Sequence, residues 1–225
     1  LKILYNRNKQ ESYNMIRLVE DTIDNRDIDN LVEWLQTYPR LTKGPVTEQL
    51  EEKWAKEVGT KHSVFCNSGS SANLLMLQSL IELGELQPGD AVVVPGLAWA
   101  TDLAPVIQLG LSPVICDINM NDLSVDLEDL ERLFKSVKPK ALILVSVLGL
   151  VPDMSSIVNL CNRHGVALLE DACESMASKH KGHTLGTFGK MSSFSTYFGH
   201  HISTIEGGFV CTDDFEVYEM LKAIR

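Results

Sequence analysis

No run of the roughly 20 consecutive apolar residues that a membrane-crossing helix needs occurs in the 225 residues, so a protein built on such a span is excluded. Positive charge is scarce too: 20 Lys and Arg stand against 30 Asp and Glu, a formal net charge of −10. A nucleic-acid coat or a binder of anionic membranes wants a basic face, and neither partner is expected. The deficit leaves room for a small anionic ligand, because backbone N–H groups and hydroxyls hold a phosphate without any cation. Cysteine is sparse, with five residues at 66, 116, 161, 173 and 211 and no C-x-x-C spacing. That withdraws support for a zinc ribbon and reads as free, buried thiols in a reducing cytoplasm. Internal repeats, low-complexity tracts and flexible linkers are lacking. What is present, 44% hydrophobic residues, is enough for a real core.

Beyond a helical N-terminal segment over 1–45, helix and strand patterns alternate. Short β-branched runs predict strands over His62–Cys66, Ala91–Pro95, Pro113–Ile118, Ala141–Val147, Val166–Glu170, Met191–Thr196 and Gly208–Thr212. Helical periodicity falls on Val46–Val58, Ser71–Leu83, Thr101–Leu109, Asp126–Val137, Met154–His164 and Phe215–Arg225. Asp126, Asp129 and Asp153 sit where helix starts want acids. Several strands, Ala141-Leu-Ile-Leu-Val above all, are apolar without alternation, as strands covered on both faces are. The expected class is α/β: three layers, with a mostly parallel seven-stranded sheet flanked by helices over 46–225. The last helical pattern reaches Arg225 without a Gly or Asn stop signal and the chain starts at Leu1, so a longer parent protein is expected.

In such sheets ligands bind at the carboxyl ends of the strands. After the first strand comes Asn67-Ser-Gly69-Ser70-Ser71, either a phosphate cradle at a helix N-terminus or a plain serine cap. It is neither a Walker loop nor G-x-G-x-x-G. Trp99 follows the second strand and could stack on a flat heteroaromatic ring or fill a core. Glu170-Asp171-Ala-Cys173-Glu174 ends an apolar strand with acids that are costly to bury unpaired. One of them could hold a protonated ring nitrogen, or cap a helix. After Ser195 comes a Gly-bounded loop with His200 and His201. Adjacent side chains of an extended chain point opposite ways, so the two make a poor joint metal site. His180-Lys-Gly-His183 reads as an exposed loop, and no metal is expected.

Singly these signals are weak, but their order is specific. Asn-Ser-Gly-Ser-Ser, Pro95-Gly-x-x-Trp99, Pro113-Val, Asp117-Ile, Glu-Asp-Ala-Cys-Glu-Ser, Gly186-Thr-Phe-Gly189 and Ser193-Phe-Ser…Glu206-Gly-Gly together resemble the DegT/DnrJ/EryC1/StrS sugar aminotransferases of the type I pyridoxal-phosphate (PLP) fold. The resemblance runs from about Leu41 to Arg225. It implies an aspartate aminotransferase-like large domain with a small domain beyond Arg225, a homodimer, and PLP or pyridoxamine phosphate (PMP) as cofactor. Gly69, Ser70 and Ser71 match the loop that binds the cofactor phosphate, and Ser195 a second phosphate hydroxyl. Trp99 matches the aromatic stacked on the pyridine ring. Asp171 matches the carboxylate paired with the ring nitrogen, and Glu174 falls where a polar side chain approaches the ring's 3-hydroxyl.

One position departs from the pattern. Where these aminotransferases carry the Schiff-base lysine, five residues after the serine, this sequence has His200, and no lysine lies between Lys190 and Lys222. Imidazole cannot make that bond, whereas it titrates near neutrality and suits acid/base work. Lys190 precedes its strand and is expected at the far end. The same swap marks a branch of 3-dehydratases acting on GDP- and CDP-linked 4-keto-6-deoxy sugars, and Tyr197–Gly208 resembles theirs, nearer the GDP-sugar type. The resemblance therefore implies dehydration at C3 of a nucleotide-linked 4-keto-6-deoxy sugar, with His200 catalytic and glutamate as amino donor. An aminotransferase that leaves nitrogen on the sugar, and an inactive PLP-fold binding protein, are the alternatives. Cys173 falls where one part of that branch has an iron–sulfur cysteine, and a buried thiol is the other reading. Arg40-Leu-Thr-Lys-Gly-Pro45 resembles the family's stretch near the active site and receives no role.

Overall fold

The computed structural model describes Val19 and residues 22–225. Helices α1 (Asn25–Leu35) and α2 (Pro45–Val58) precede strand β1 (His62–Cys66) and α3 (Gly69–Glu82). Then follow β2 (Ala91–Pro95), α4 (Ala100–Gln108), β3 (Ser112–Cys116), α5 (Leu127–Ser136), β4 (Ala141–Val145), α6 (Met154–His164) and β5 (Ala167–Asp171). A hairpin of β6 (Lys179–His180) and β7 (His183–Thr184) leads to β8 (Met191–Ser195), β9 (Gly208–Thr212) and α7 (Phe215–Ile224). Of the segment 1–45, residues 1–18, 20 and 21 lie outside the described residues, and the described part holds α1 followed by an irregular approach to α2.

Seven strands form one sheet in the order β3-β2-β4-β5-β8-β9-β1. Every neighbouring pair is parallel except the two made by β9, which runs against both β8 and β1. The expected mostly parallel architecture is therefore the observed one. The apolar run of β4 has a direct cause. Ala141, Ile143 and Val145 enter one core with α3, α4 and α7, while Leu142 and Leu144 enter the opposite core with α5 and α6. Strand side chains alternate between faces, so a strand buried on both sides is apolar at every position. A third cluster joins α2 to the β8–β9–β1 edge, where Trp54 stacks on Phe209 at 4.1 Å and meets Phe194 edge-on.

Helix ends follow local chemistry. Asp126 caps α5 by accepting from the Asp129 N–H at 2.9 Å, and Asp153 caps α6 through the Ser156 N–H. Gly59 and Gly165 end α2 and α6 at φ 97° and 66°, backbone that glycine adopts without a Cβ penalty. Four strands shift by one or two residues from the sequence reading. Pro113–Ile118 is Ser112–Cys116, Ala141–Val147 stops at Val145 before a 3-10 turn, Val166–Glu170 is Ala167–Asp171, and Met191–Thr196 stops at Ser195. Each moves to where ladder partners exist, which single-chain periodicity cannot show. The expected loop at His180–His183 is instead a two-residue hairpin. Lys181 and Gly182 take φ 49° and 87°, as a tight turn of matching twist requires.

Candidate functional site

The parallel strands bring their carboxyl ends to one edge of the sheet, and the chain leaves each strand there into a turn bearing polar side chains. At the end of β1, Ser68 caps α3. Its Oγ accepts from the Ser71 N–H (3.1 Å) and donates to the Ser71 Oγ (3.2 Å). The cap reading and the cradle reading of this loop thus fall on different residues: Ser68 closes the helix, while Gly69 and exposed Ser70 stand in its first turn. Gly69 is also a contact point. A Cβ there would lie 2.7 Å from Ser195 Cβ and 2.9 Å from Cys173 Sγ. The turns after β1, β5 and β8 therefore meet at one residue with no side chain. Gly208 does the same for β9, since a Cβ would sit 2.3 Å from the Ser68 carbonyl carbon.

At the end of β5 two adjacent acids separate. Glu170 turns back into the fold, and its carboxylate accepts from the N–H groups of Gly186, Phe188 and Gly189, each at 2.7 Å. That accounts for the Gly-Thr-Phe-Gly segment and satisfies a buried charge that would otherwise be costly. Asp171 turns to the ligand edge, 7% exposed. Its Oδ1 accepts from the Cys173 N–H (2.9 Å) and its Oδ2 from the Asn73 amide (2.7 Å). The same Asn73 nitrogen donates to Asp102 Oδ1 at 3.0 Å, and Asp102 Oδ2 accepts from the Trp99 N–H at 3.1 Å. Trp99 leaves its indole 74% exposed at the end of β2. Glu174 Oε2 accepts from the Leu148 N–H at 2.7 Å, in a turn where Leu148 takes the left-handed φ of 54°.

At the end of β8, the Ser195 Oγ accepts from the Tyr197 N–H at 3.2 Å, and the His200 N–H donates to the Tyr197 carbonyl at 3.0 Å. His200 is half-buried. Desolvation holds its imidazole below the usual histidine range against the opposing pull of Glu174 and Asp171, with His201 adding to the depression. A neutral imidazole near neutral pH can accept a proton. Burial pushes the Cys173 thiol well above its ordinary value, and the charge of Asp171 adds to this. Lys190 stands at the opposite end of β8, ion-paired with Glu85. A groove of about 620 Å³ opens beside the β1 end, lined in part by Trp34, Arg40, Lys43, Phe65, Asn67 and Arg225.

The structure thus brings Gly69, Ser195 and Cys173 into contact, joins Asp171 to Trp99 through hydrogen bonds, and sets His200 in the field of Asp171 and Glu174. Asn73 and Asp102, which make that link, carry no signal in the sequence beyond being polar in helical stretches. The donor set, carried on a three-layer α/β scaffold, suits a flat ring that bears a cation at one point and an anionic group at another. A carboxylate with open lone pairs suits the cation, and hydroxyls around a helix N-terminus suit the anion. These residues fit a pyridine cofactor bearing a phosphate.

Comparison with known proteins identifies the scaffold. Residues 21–225 match the DegT/DnrJ/EryC1/StrS aminotransferase family, and the chain belongs to it. It is 37% identical over 210 residues to the GDP-4-keto-6-deoxy-D-mannose 3-dehydratase of Yersinia pseudotuberculosis, covering 92% of this chain and 53% of that protein. It is 39% identical over 187 residues to the enzyme of the same name from Escherichia coli O55:H7, covering 82% and 48%. A crystal structure of GDP-4-keto-6-deoxymannose-3-dehydratase with a trapped PLP–glutamate geminal diamine superposes with a TM-score of 0.88 at 36% identity, covering 93% of this chain and 54% of that one. The chain spans about half the length of the relatives it matches.

Proposed function

We propose that this chain is the cofactor-binding large domain of a PLP/PMP-dependent 3-dehydratase acting on a nucleotide-linked 4-keto-6-deoxyhexose. The observation that carries the reading is His200, held half-buried within the fields of Asp171 and Glu174 where the fold's lysine would stand, with the nearest lysine in sequence, Lys190, ion-paired at the far end of its strand. Relatives with the same activity in their names, at 37% and 39% identity, support it. Asp171 would hold the protonated ring nitrogen, Trp99 would cover one ring face, and Glu174 would stand near the ring hydroxyl. Gly69, Ser70, Ser71 and Ser195 would take the phosphate through N–H groups and hydroxyls. The bound cofactor supplies an amine that joins the sugar's C4 keto carbon and an electron sink that makes a neighbouring C–H acidic.

The rest of the mechanism belongs to this chain. His200, neutral near pH 7, takes a proton on its imidazole and, as imidazolium, delivers one to the C3 oxygen as that hydroxyl leaves. With no amine at position 200 the cofactor is held by hydrogen bonds, charge and stacking alone. Glutamate serves as amino donor, as it is seen with PLP in the related structure. The active enzyme is a homodimer with the small domain beyond the present chain, working in the cytoplasm, where its five free thiols stay reduced.

The test is to incubate full-length protein with PLP, glutamate and GDP- or CDP-linked 4-keto-6-deoxy sugars and to follow products by mass spectrometry. Release of ammonia with a 3-deoxy-4-keto product is expected. An amino sugar would instead establish an aminotransferase, and absence of turnover with bound cofactor a binding protein. Borohydride should leave no cofactor attached to the wild-type protein, whereas His200→Lys should become labelled.

A further inference from the structure

We propose that Asp102 is a positioning residue for Asp171: the two buried carboxyls, bridged by the Asn73 amide, share one proton and one negative charge, and this keeps Asp171 aimed at the ring nitrogen of the cofactor. The role of the pair rests on the cofactor reading above; its existence does not.

The geometry is specific. Asp102 is wholly buried at the start of α4, and Asn73 is buried one turn into α3. One amide nitrogen donates to both acids, at 3.0 and 2.7 Å, so the amide presents nitrogen to each and leaves its own Oδ1 buried without a hydrogen-bond partner among the described residues. Among the described residues no Lys or Arg forms an ion pair with either acid. Two carboxylates this close in a dry site cannot both stay charged without a cation, and one proton between them resolves the repulsion. The choice of proton holder follows from surroundings. Asp171 opens to the ligand edge and receives a backbone N–H from Cys173 as well as the amide. Asp102 has no opening, and the groups facing it are Asp171, Glu174 and the thiol of Cys173, none of them cationic. Burial, with the charges of Asp171 and Glu174, pushes Asp102 up to about 9. The pair then carries a single negative charge, which matches a single pyridinium.

The sign of the pH effect follows. A group whose folded value is raised contributes stability that is complete at low pH and is lost as pH climbs to that value. Wild-type protein should therefore lose thermal stability relative to Asp102→Asn as pH rises from about 5 to about 9, without any cofactor present. Asn keeps a neutral donor of the same shape, so Asp102→Asn should bind PLP within about threefold of wild type, while Asp102→Leu, which removes a hydrogen bond to a charged partner, should bind about tenfold more weakly or worse. The full-length apoproteins are melted across this pH range, and PLP binding is followed by absorbance, with the bound spectrum titrated against pH to read ring protonation. A melt difference that does not change with pH overturns the shared proton, and this comparison stands even if Asp102→Leu fails to fold. Equal loss of PLP in Asn and Leu variants means the site needs a charge at 102, and overturns the proposal too. A pH-dependent melt difference in a wild-type protein that binds no PLP overturns the positioning role and the cofactor reading while leaving the proton-sharing pair established.

Discussion

Trp99 offers its indole to solvent, 74% exposed, while its backbone N–H is tied to Asp102. The ring contributes little to the core, so Trp99→Ala should leave the melting temperature nearly unchanged. The same change should weaken PLP binding by about fivefold, since an aromatic stacking partner contributes about 1 kcal/mol; a thermal melt checks the first claim and a fluorescence titration with PLP the second. His200 yields a pH prediction of known sign. Desolvation lowers its value below the ordinary 6.5, so the neutral, proton-accepting imidazole persists to lower pH than a free histidine. The acid limb of the kcat profile should lie below pH 6.5 and vanish in His200→Asn, whose residual rate would be flat there. At this scale the legible residues were those at strand ends, because polar side chains after an apolar strand are conspicuous. Asn73 and Asp102 were not legible: each is an unremarkable polar residue in its helix, and only the convergence of α3, α4 and β5 makes them buried neighbours.

The turns at the strand ends behave as a unit. Gly69→Ala would place a Cβ against Ser195 and Cys173, and one of the two turns must then move. We expect a loss of roughly 1–3 kcal/mol in urea unfolding, the range for overpacking, together with weaker phosphate binding. Glu170 is the structural counterpart of Asp171. Glu170→Ala takes the acceptor from three N–H groups, one buried and two part-buried, and should cost about 3 kcal/mol or more, at about 1–3 kcal/mol for each donor left unsatisfied. Thermal unfolding of that variant checks it. The pair Glu170–Asp171 shows what sequence can and cannot say about an element. Two acids at the end of an apolar strand announce that something must pair with them. Which one faces inward depends on strand phase, and the one-residue shift of β5 to Ala167–Asp171 makes Asp171 its last member.

Across the whole molecule the sheet has polarity. The polar turns that follow the parallel strands gather at one end, and Lys190 pairs with Glu85 at the other. Lys190→Ala should therefore leave turnover and PLP affinity within about twofold of wild type, the size of an exposed ion-pair effect, which steady-state kinetics would show. If the lysine were in reach of the cofactor, activity would collapse instead. Apolar periodicity and turn chemistry, both local, were enough to determine the α/β class, the order of elements and the strand ends on which chemistry could sit. The imidazole at position 200, with no lysine between Lys190 and Lys222, is also written in the sequence alone. Only the tertiary structure decided the strand order with β9 reversed, the split of Glu170 from Asp171, and the joining of Asp102 to Asp171 through Asn73. These depend on which ladder partners and which buried faces meet across tens of residues, and a chain read one position at a time holds no measure of distance or of exclusion from water.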